Sequence, residues 1–200
     1  MSGVPSPAAA GEEVTVGVLA LQGDFEAHGR VLRRLGVIVR EVRVPSDLER
    51  LDGLVMPGGE STTMTLGIER EGLREPLRAF HASGKPIFGT CAGLIMLDRD
   101  HLGIIDIRAE RNAFGRQVRS FEAPIEMGLS GGAVEAVFIR APWIADHGPG
   151  VEILAELDGH AVAAREGEVL VVAFHPELGD DDRVHALFLQ SVRDARLAAA

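Results

Sequence analysis

The chain has 200 residues, of which 46% are apolar, and this is enough for one hydrophobic core near the upper size of a compact domain. Lys and Arg number 20 against 30 Asp and Glu, so the formal net charge is −10. A chain this acidic repels phosphate backbones and anionic lipids, and we expect neither a nucleic acid nor a membrane partner.

Cys91 is the only cysteine, which excludes an intrachain disulfide and a Cys-based zinc site, and the seven histidines lack metal-ligand spacing. We therefore expect no metal, no cofactor and a reducing, cytoplasmic location. Residues 1–13 lack the basic and apolar regions of a secretory signal and are predicted to be a short disordered leader. Residues 14–198 are predicted to form a single domain, because no internal repeat or low-complexity tract marks a boundary. No apolar run approaches the roughly 20 residues of a membrane helix.

Strands and helices alternate in the first half of the chain. A β-branched run at 14–21 precedes a helical pattern at 25–36, which ends at a glycine. Further strands are predicted at 37–44, 53–59 and 85–91, and a helix, a break and a second helix over 61–84. Strands that are apolar on both faces and alternate with helices predict a mostly parallel sheet with helices on both faces.

The second half has a different pattern. Strand-like segments follow one another at 103–110, 116–126, 133–142, 151–157 and 159–174, with turns between them. This succession predicts an antiparallel extension of the sheet. The chain closes with a predicted helix over 181–200, whose apolar stripe comprises Val184, Leu187, Phe188 and Val192.

The segment "GTCAG" places Cys91 between a buried strand and the start of a helix, with a glycine two residues before it and another two after it. Gly-x-nucleophile-x-Gly is the pattern of a nucleophile elbow, a tight turn that exposes the central side chain at the carboxyl end of a strand. A helix N-terminus there would favour the thiolate. The alternative is a buried thiol that only fills space, which this short pattern alone leaves about equally acceptable.

A second candidate group follows the strand near residue 174, in "AFHPE". Pro176 favours an extended conformation for His175, so His175 and Glu177 can project to a common side. A carboxylate in that position fixes the tautomer of an imidazole and stabilises its protonated form. Without a nucleophile elsewhere, the same residues would be interpreted as a solvated strand end.

The segment "MPGGEST" (56–62) lies between a predicted strand and a predicted helix. Its glycines allow backbone N–H groups to approach a ligand, and we expect the N–H groups of Gly59 and Ala92 to form an oxyanion hole. By itself, Pro-Gly-Gly indicates only a turn.

Together these stretches resemble class I, triad-type glutamine amidotransferase domains, and most closely the glutaminase subunits of two-component pyridoxal 5'-phosphate synthases. The resemblance rests on "GVLALQGD", "PGGESTTM", "GTCAGLI", "RNAFGRQVRSFE", "VFIRAP" and "AFHPE". It implies a three-layer class I glutamine amidotransferase fold. It also implies hydrolysis of L-glutamine to L-glutamate and ammonia, with the ammonia delivered to a synthase subunit in a hetero-oligomeric complex. Both hydrolase and lyase chemistry are expected on this basis.

The resemblance also implies roles for particular residues. Cys91 matches the nucleophile, and His175 and Glu177 match its two partners in the triad. Residues that match the family's glutamine-binding positions are Gly59, Glu60, Ser61, Arg111, Ile139 and Arg140. Arginine suits the α-carboxylate of an amino acid, although an exposed arginine is more often only a solvated charge.

Two departures from the family pattern accompany the resemblance. The segment between Ile95 and Arg111 is shorter than the family usually has, and we expect an altered local loop. Ala27 precedes His28 where the family usually has Glu-His, and we expect this to affect docking of the first helix on the synthase. Two other functions stay open: a stand-alone cysteine hydrolase of a γ-glutamyl compound or small amide, and a non-catalytic partner-binding subunit.

Overall fold

The structure is a computed structural model that describes residues 13–111 and 120–199. The predicted leader, apart from residue 13, and most of the "RNAFGRQ" motif lie outside the described residues. The described helices are α1 Phe25–Arg34, α2 Ser61–Arg70, α3 Arg74–Ala82, α4 Ala92–Leu97 and α5 Arg183–Ala199.

The described strands are β1 Thr15–Leu19, β2 Ile38–Val42, β3 Gly53–Met56, β4 Ile87–Thr90, β5 Ile107–Glu110, β6 Ser120–Ile125, β7 Val134–Ile139, β8 Trp143–His147, β9 Glu152–Leu157, β10 His160–Glu166 and β11 Val169–Val172. The first four are shorter than the sequence predicts. The residues trimmed from their carboxyl ends lie in loops, and the loops after β1, β3 and β4 carry the candidate site.

The main sheet has the strand order β2-β1-β3-β4-β11-β10-β8-β5, with β9 paired to β10. The first five strands are parallel, and the remainder are antiparallel to their neighbours. Strand β11 joins the two parts, because it is parallel to β4 and antiparallel to β10. The described parts of the chain therefore form the parallel sheet and the antiparallel extension that the sequence predicts.

Strands β6 and β7 form a separate antiparallel hairpin. The amide of His175 donates to the carbonyl of Val137 in β7 at 2.8 Å. This bond holds the hairpin against the loop that follows β11.

Helices cover both faces of the parallel strands. In the sheet, β2 lies on one side of β1, whereas β3 and then β4 lie on the other side. Helix α1 connects β1 to β2, and α2 lies in the connection from β3 to β4. Because such crossovers are right-handed, α1 and α2 lie on opposite faces of the sheet. Helix α1 contacts α5 through a hydrogen-bond distance of 2.9 Å between His28 and His185. Helix α2 contacts α4 through Thr65 and Met96. The result is a three-layer arrangement around buried strands β1, β3, β4 and β11.

Helix α5 packs directly on the sheet. Val184, Phe188 and Val192 are buried as the apolar stripe predicts, whereas Leu187 is only partly buried. Phe188 stacks on Phe88 of β4 with ring centroids 5.5 Å apart. Within the described residues, no helix is long and apolar enough to cross a membrane.

Candidate active site

Cys91 occupies the single residue between β4 and α4, and its backbone has φ 48° and ψ −106°. A side chain at positive φ in this region costs roughly 1 to 3 kcal/mol and persists only where the surrounding structure enforces it. The amide of Cys91 donates to the carbonyl of Val172 in β11 at 2.9 Å. The turn is therefore fixed to the sheet at the residue that the sequence predicts as a nucleophile.

The two glycines that flank Cys91 permit this turn. A Cβ on Gly93 would lie 2.0 Å from the carbonyl oxygen of Met56 in β3, and a Cβ on Gly89 would lie 3.0 Å from the backbone of Gly93. Real Cβ contacts with backbone are never as short as the first distance, so α4 can lie this close to β3 only with glycine at position 93. The Gly-x-Cys-x-Gly pattern has a direct steric cause.

His175 and Glu177 lie beside the cysteine and are both buried. Nδ1 of His175 is 2.7 Å from Oε1 of Glu177. Their pairing does not follow from an extended segment, as the sequence suggested, because Pro176 begins a one-turn 3₁₀ helix, Pro176–Leu178. This turn brings the carboxylate back to the ring, so the pairing is found with a different local geometry.

The pKa of His175 reflects two opposing effects. Burial by itself lowers it, but hydrogen bonds to Cys91 and Glu177 and the Coulombic attraction of both groups raise it to about 10. With Nδ1–H donated to Glu177, Nε2 is the ring nitrogen left for the sulfur. His175 is thus held as an imidazolium beside the cysteine at neutral pH. As a thiol, Cys91 can also donate a weak hydrogen bond to the carbonyl of Ile139, 3.9 Å from the sulfur.

The loop after β3 closes over these groups. A Cβ on Gly58 would lie 2.4 Å from Cε1 of His175 and 3.4 Å from Cβ of Cys91, so this backbone touches both side chains. The loop after β1 supports it from behind, since the Gln22 amide donates to the carbonyl of Glu60 at 3.1 Å and a Cβ on Gly23 would strike the carbonyl of Gly58. The "LQGD" and "PGGEST" segments thus form one packed unit.

The carboxylate of Glu60 caps α2 by accepting hydrogen bonds from the amides of Thr62 and Thr63 and from the Thr63 hydroxyl. These bonds, with that of the Thr63 side chain the largest contribution, lower the pKa of Glu60 to about 2. The carboxylate oxygens are therefore already engaged.

A cavity of about 270 Å³ opens at this point, lined by Asp24, Gly59, Glu60, Ser61, Cys91, Ala92, Ile95, Arg111, Ile139, Arg140, Pro142 and His175. Every residue that the sequence nominates for the site is in this set except Glu177, which lies behind His175. Asp24, Ile95 and Pro142 were not predicted. Asp24 ends the "GVLALQGD" segment that carries the family resemblance, and this segment could have indicated it. Ile95 and Pro142 are ordinary apolar residues in a helix and a loop, and no pattern in the sequence marks them.

The guanidinium of Arg111 is held by a chain of hydrogen bonds. Its Nη2 lies 3.1 Å from Nε2 of His101, and Nδ1 of His101 lies 2.7 Å from Oδ1 of Asp98. Asp98 is 1% exposed and also accepts from the amides of Asp100, His101 and Ala109. The short segment before Arg111 is thus organised around one buried carboxylate, and its effect reaches the cavity.

Asp24, His175 and Glu177 offer three potential ligand atoms that lie within 4.8 Å of one another. Nδ1 of His175 is already engaged by Glu177 at 2.7 Å and is 3.9 Å from Oδ2 of Asp24. The closeness of these atoms therefore follows from the histidine-carboxylate pair and does not require a metal.

Fold and site together define the class of α/β proteins that present a cysteine on a nucleophile elbow beside a paired histidine and glutamate. Residues 18–194 match the sequence pattern of the SNO glutamine amidotransferase family. The chain belongs to this family, so the expected class I glutamine amidotransferase fold is confirmed.

Close relatives agree. The chain is 50% identical over 192 residues to a protein of Geobacillus kaustophilus named pyridoxal 5'-phosphate synthase subunit PdxT, covering 92% of this chain and 98% of that one. A protein of the same name from Koribacter versatilis is 52% identical over 186 residues, covering 90% and 96%. A crystal structure described as a glutamine amidotransferase superposes with a TM-score of 0.84 at 45% identity, covering 88% and 98%. These relatives fit hydrolase chemistry, and the lyase expectation is not supported for this chain.

The close approach at Gly93 makes Gly93→Ala a sharp test of the elbow. We expect this substitution to destabilise the fold by about 1 to 3 kcal/mol, as overpacking does in other cores, and to displace Cys91. Urea unfolding measures the first effect. Gly29→Ala in α1 is the matched control, because the nearest atom that its Cβ would meet is at the far end of the flexible Arg33 side chain, at 3.1 Å. Equal stability of the two variants would contradict the steric account.

The histidine-carboxylate pair makes a second prediction. Glu177→Gln removes an anion that raises the pKa of His175, so the pKa should fall. NMR titration of the His175 ring measures it. The raised pKa of His175 also affects the stability of the fold. Its contribution is fully present below the ordinary histidine pKa of about 6.5, and it is lost as the pH rises through about 10. Asp24→Asn, 3.9 Å away, should shift the pKa less, and an unchanged titration in Glu177→Gln would show the pair to be unimportant.

Proposed function

We propose that this chain hydrolyses L-glutamine to L-glutamate and ammonia through a triad of Cys91, His175 and Glu177, and that it supplies the ammonia to a pyridoxal 5'-phosphate synthase subunit. The observation that carries the proposal is the strained turn at Cys91, which opens into a cavity that Cys91 lines together with His175. Family membership and the named relatives support the choice of substrate and partner.

The first half-reaction uses the thiolate of Cys91. The sulfur attacks the side-chain amide carbon of glutamine, and backbone N–H groups of Gly59 and Ala92 hold the oxyanion that forms. Ala92 opens α4, where first-turn amides have no acceptor within the helix. The N–H of His175 then protonates the departing nitrogen, the carbon-nitrogen bond breaks, and ammonia leaves a γ-glutamyl thioester on the sulfur.

The second half-reaction returns the enzyme to its starting state. His175, now neutral, accepts a proton from a water molecule whose oxygen attacks the thioester carbon. The carbon-sulfur bond breaks, the thiolate and the imidazolium are restored, and the new carboxylic acid loses its proton to solvent. Glu177 keeps Nδ1 protonated throughout, so Nε2 is the nitrogen that exchanges protons.

Recognition of a free amino acid requires charges of both signs. Arg111 and Arg140 line the cavity with positive charge for an α-carboxylate, and Asp24 lines it with negative charge for an α-ammonium group. Backbone groups of Gly59, Glu60, Ser61 and Ile139 complete the glutamine site in this proposal. The tie from Arg111 to His101 fixes the guanidinium before substrate arrives.

Ammonia is useful to a synthase only while it stays unprotonated and confined, so unrestrained turnover would waste glutamine. We expect the isolated chain to be weakly active and the synthase subunit to complete the oxyanion hole, in a cytoplasmic complex where the single thiol stays reduced. Ala27 is buried on α1, so any effect of this residue on docking would act through the packing of that helix.

Ammonia release from L-glutamine tests the proposal. The native chain should release ammonia faster with the synthase subunit than without it, and Cys91→Ala should reduce release by at least about 10³-fold in both conditions, because loss of a nucleophile removes the covalent route. Asp194→Ala, on the exposed far part of α5, is the control and should behave as native.

Two outcomes would count against the proposal. Equal release from the native chain and Cys91→Ala would remove the nucleophile assignment. Full activity without the synthase subunit would remove the idea that the partner completes the oxyanion hole.

A further inference from the structure

The mechanism above leaves a buried histidine pair behind the triad unused. His28 in α1 and His185 in α5 are both 0% exposed. Nε2 of His28 lies 3.3 Å from Oε2 of Glu177 and 3.1 Å from Oγ1 of Thr90, and its Nδ1 lies 2.9 Å from Nε2 of His185. His28 therefore touches the carboxylate oxygen that faces away from His175.

Burial favours the neutral form of both histidines. Burial, then the Coulombic effects of His185 and His175, hold the pKa of His28 well below its ordinary value. Burial is also the main cause that lowers the pKa of His185 to about 4; Asp182 opposes it and Arg34 adds to it. A neutral imidazole has one N–H donor and one acceptor nitrogen, so the position of each proton determines what His28 does.

One tautomer satisfies the contacts. If Nε2 of His28 carries the proton, its N–H donates to the Thr90 hydroxyl and faces Oε2 of Glu177, 3.3 Å from the nitrogen, as an electrostatic contact, and Nδ1 accepts from the Nε2–H of His185. The nitrogen of His185 left without a partner, Nδ1, is then a bare acceptor. An unpaired buried acceptor is tolerated better than an unpaired buried donor.

The opposite tautomer, with the His28 proton on Nδ1, does not fit the contacts of either ring nitrogen. It would turn the Nε2 lone pair of His28 toward the Glu177 carboxylate, which can only accept. It would also require His185 to carry its proton on Nδ1, where the buried N–H would have no partner. Oε2 of Glu177 is buried without a hydrogen bond, and Nε2 of His28, at 3.3 Å, is a polar atom that faces it.

We propose that His28 is a positioning residue, whose Nε2–H, set by His185 and Thr90, holds the Glu177 carboxylate so that its other oxygen stays on Nδ1 of His175. The inference rests on the proposed function, since it concerns how the triad is held. His28 does not line the cavity, so it acts on glutamine only through Glu177 and His175. Groups of this kind, one shell behind a reacting side chain, alter rates by about tenfold to a hundredfold when lost from metal sites.

Two variants separate the effect of the N–H group from that of the volume of the ring. His28→Met keeps an apolar side chain of similar size and has no donor, whereas His28→Gln can place an N–H near the original Nε2. With the synthase subunit present, His28→Met should lower kcat for ammonia release by about tenfold to a hundredfold with an unchanged KM for glutamine. His28→Gln should recover much of that loss.

Val31→Ala, another buried residue of α1, is the control for destabilisation and should keep native kcat while lowering the unfolding midpoint. A folded His28→Met with native kcat would overturn the proposal, as would equal losses in the Gln and Met variants. A raised KM in place of a lowered kcat would also overturn it, because it would mean a role in the cavity.

NMR of the native chain tests the tautomer without any variant. Ring ¹⁵N shifts distinguish a protonated Nε2 from a protonated Nδ1, and we expect His28 and His185 to be neutral and protonated on Nε2 at pH 7. A proton on Nδ1 of His28, or a charged ring, would contradict the inference even if the variants do not fold. Absence of ammonia release from the native complex would instead contradict the proposed function and leave the NMR result to decide about His28.

Discussion

The site depends on how closely helix α4 approaches strand β3. Gly93 lies against the carbonyl of Met56 with no room for a side chain, and this close approach accompanies a turn of only one residue between β4 and α4. That residue is Cys91, which accepts a positive φ as a consequence. The strain places the sulfur at the carboxyl edge of the sheet, where a cavity and a helix N-terminus meet.

Neighbouring parallel strands then supply the other parts at the same edge. The loop after β1 carries Asp24, the loop after β3 carries Gly58 to Ser61, and the segment after β11 carries His175. The hairpin of β6 and β7 closes the far side through Ile139 and Arg140. Neighbouring loops also pack on each other, as Gly23 does on Gly58. The distances within the site therefore depend on the strands and on all of these loops together.

Local patterns were sufficient to predict the parallel core, the elbow at Cys91 and the pairing of His175 with Glu177, because each depends on residues a few positions apart. The 3₁₀ turn that makes the pairing was not predicted, since Pro176 is compatible both with extended chain and with the start of a helix. The N-cap role of Glu60 was also missed, because a glutamate before a helix usually indicates only a favourable charge.

Contacts between distant parts of the chain could not be predicted. His28 and His185 are 157 residues apart and meet only because α1 and α5 share one face of the sheet. Asp98, His101 and Arg111 meet in an irregular segment with no periodic signal. Both sets stand behind residues that the sequence did nominate, so the sequence indicated the residues of the candidate site better than it indicated the contacts that hold them.

Alkylation of the single cysteine tests the central claim most directly. With iodoacetamide added to the complex, loss of ammonia release from glutamine should follow the gain of one carbamidomethyl group on the peptide that contains Cys91, and glutamine should slow both. A complex that is fully alkylated at Cys91 and still releases ammonia at the native rate would contradict the account.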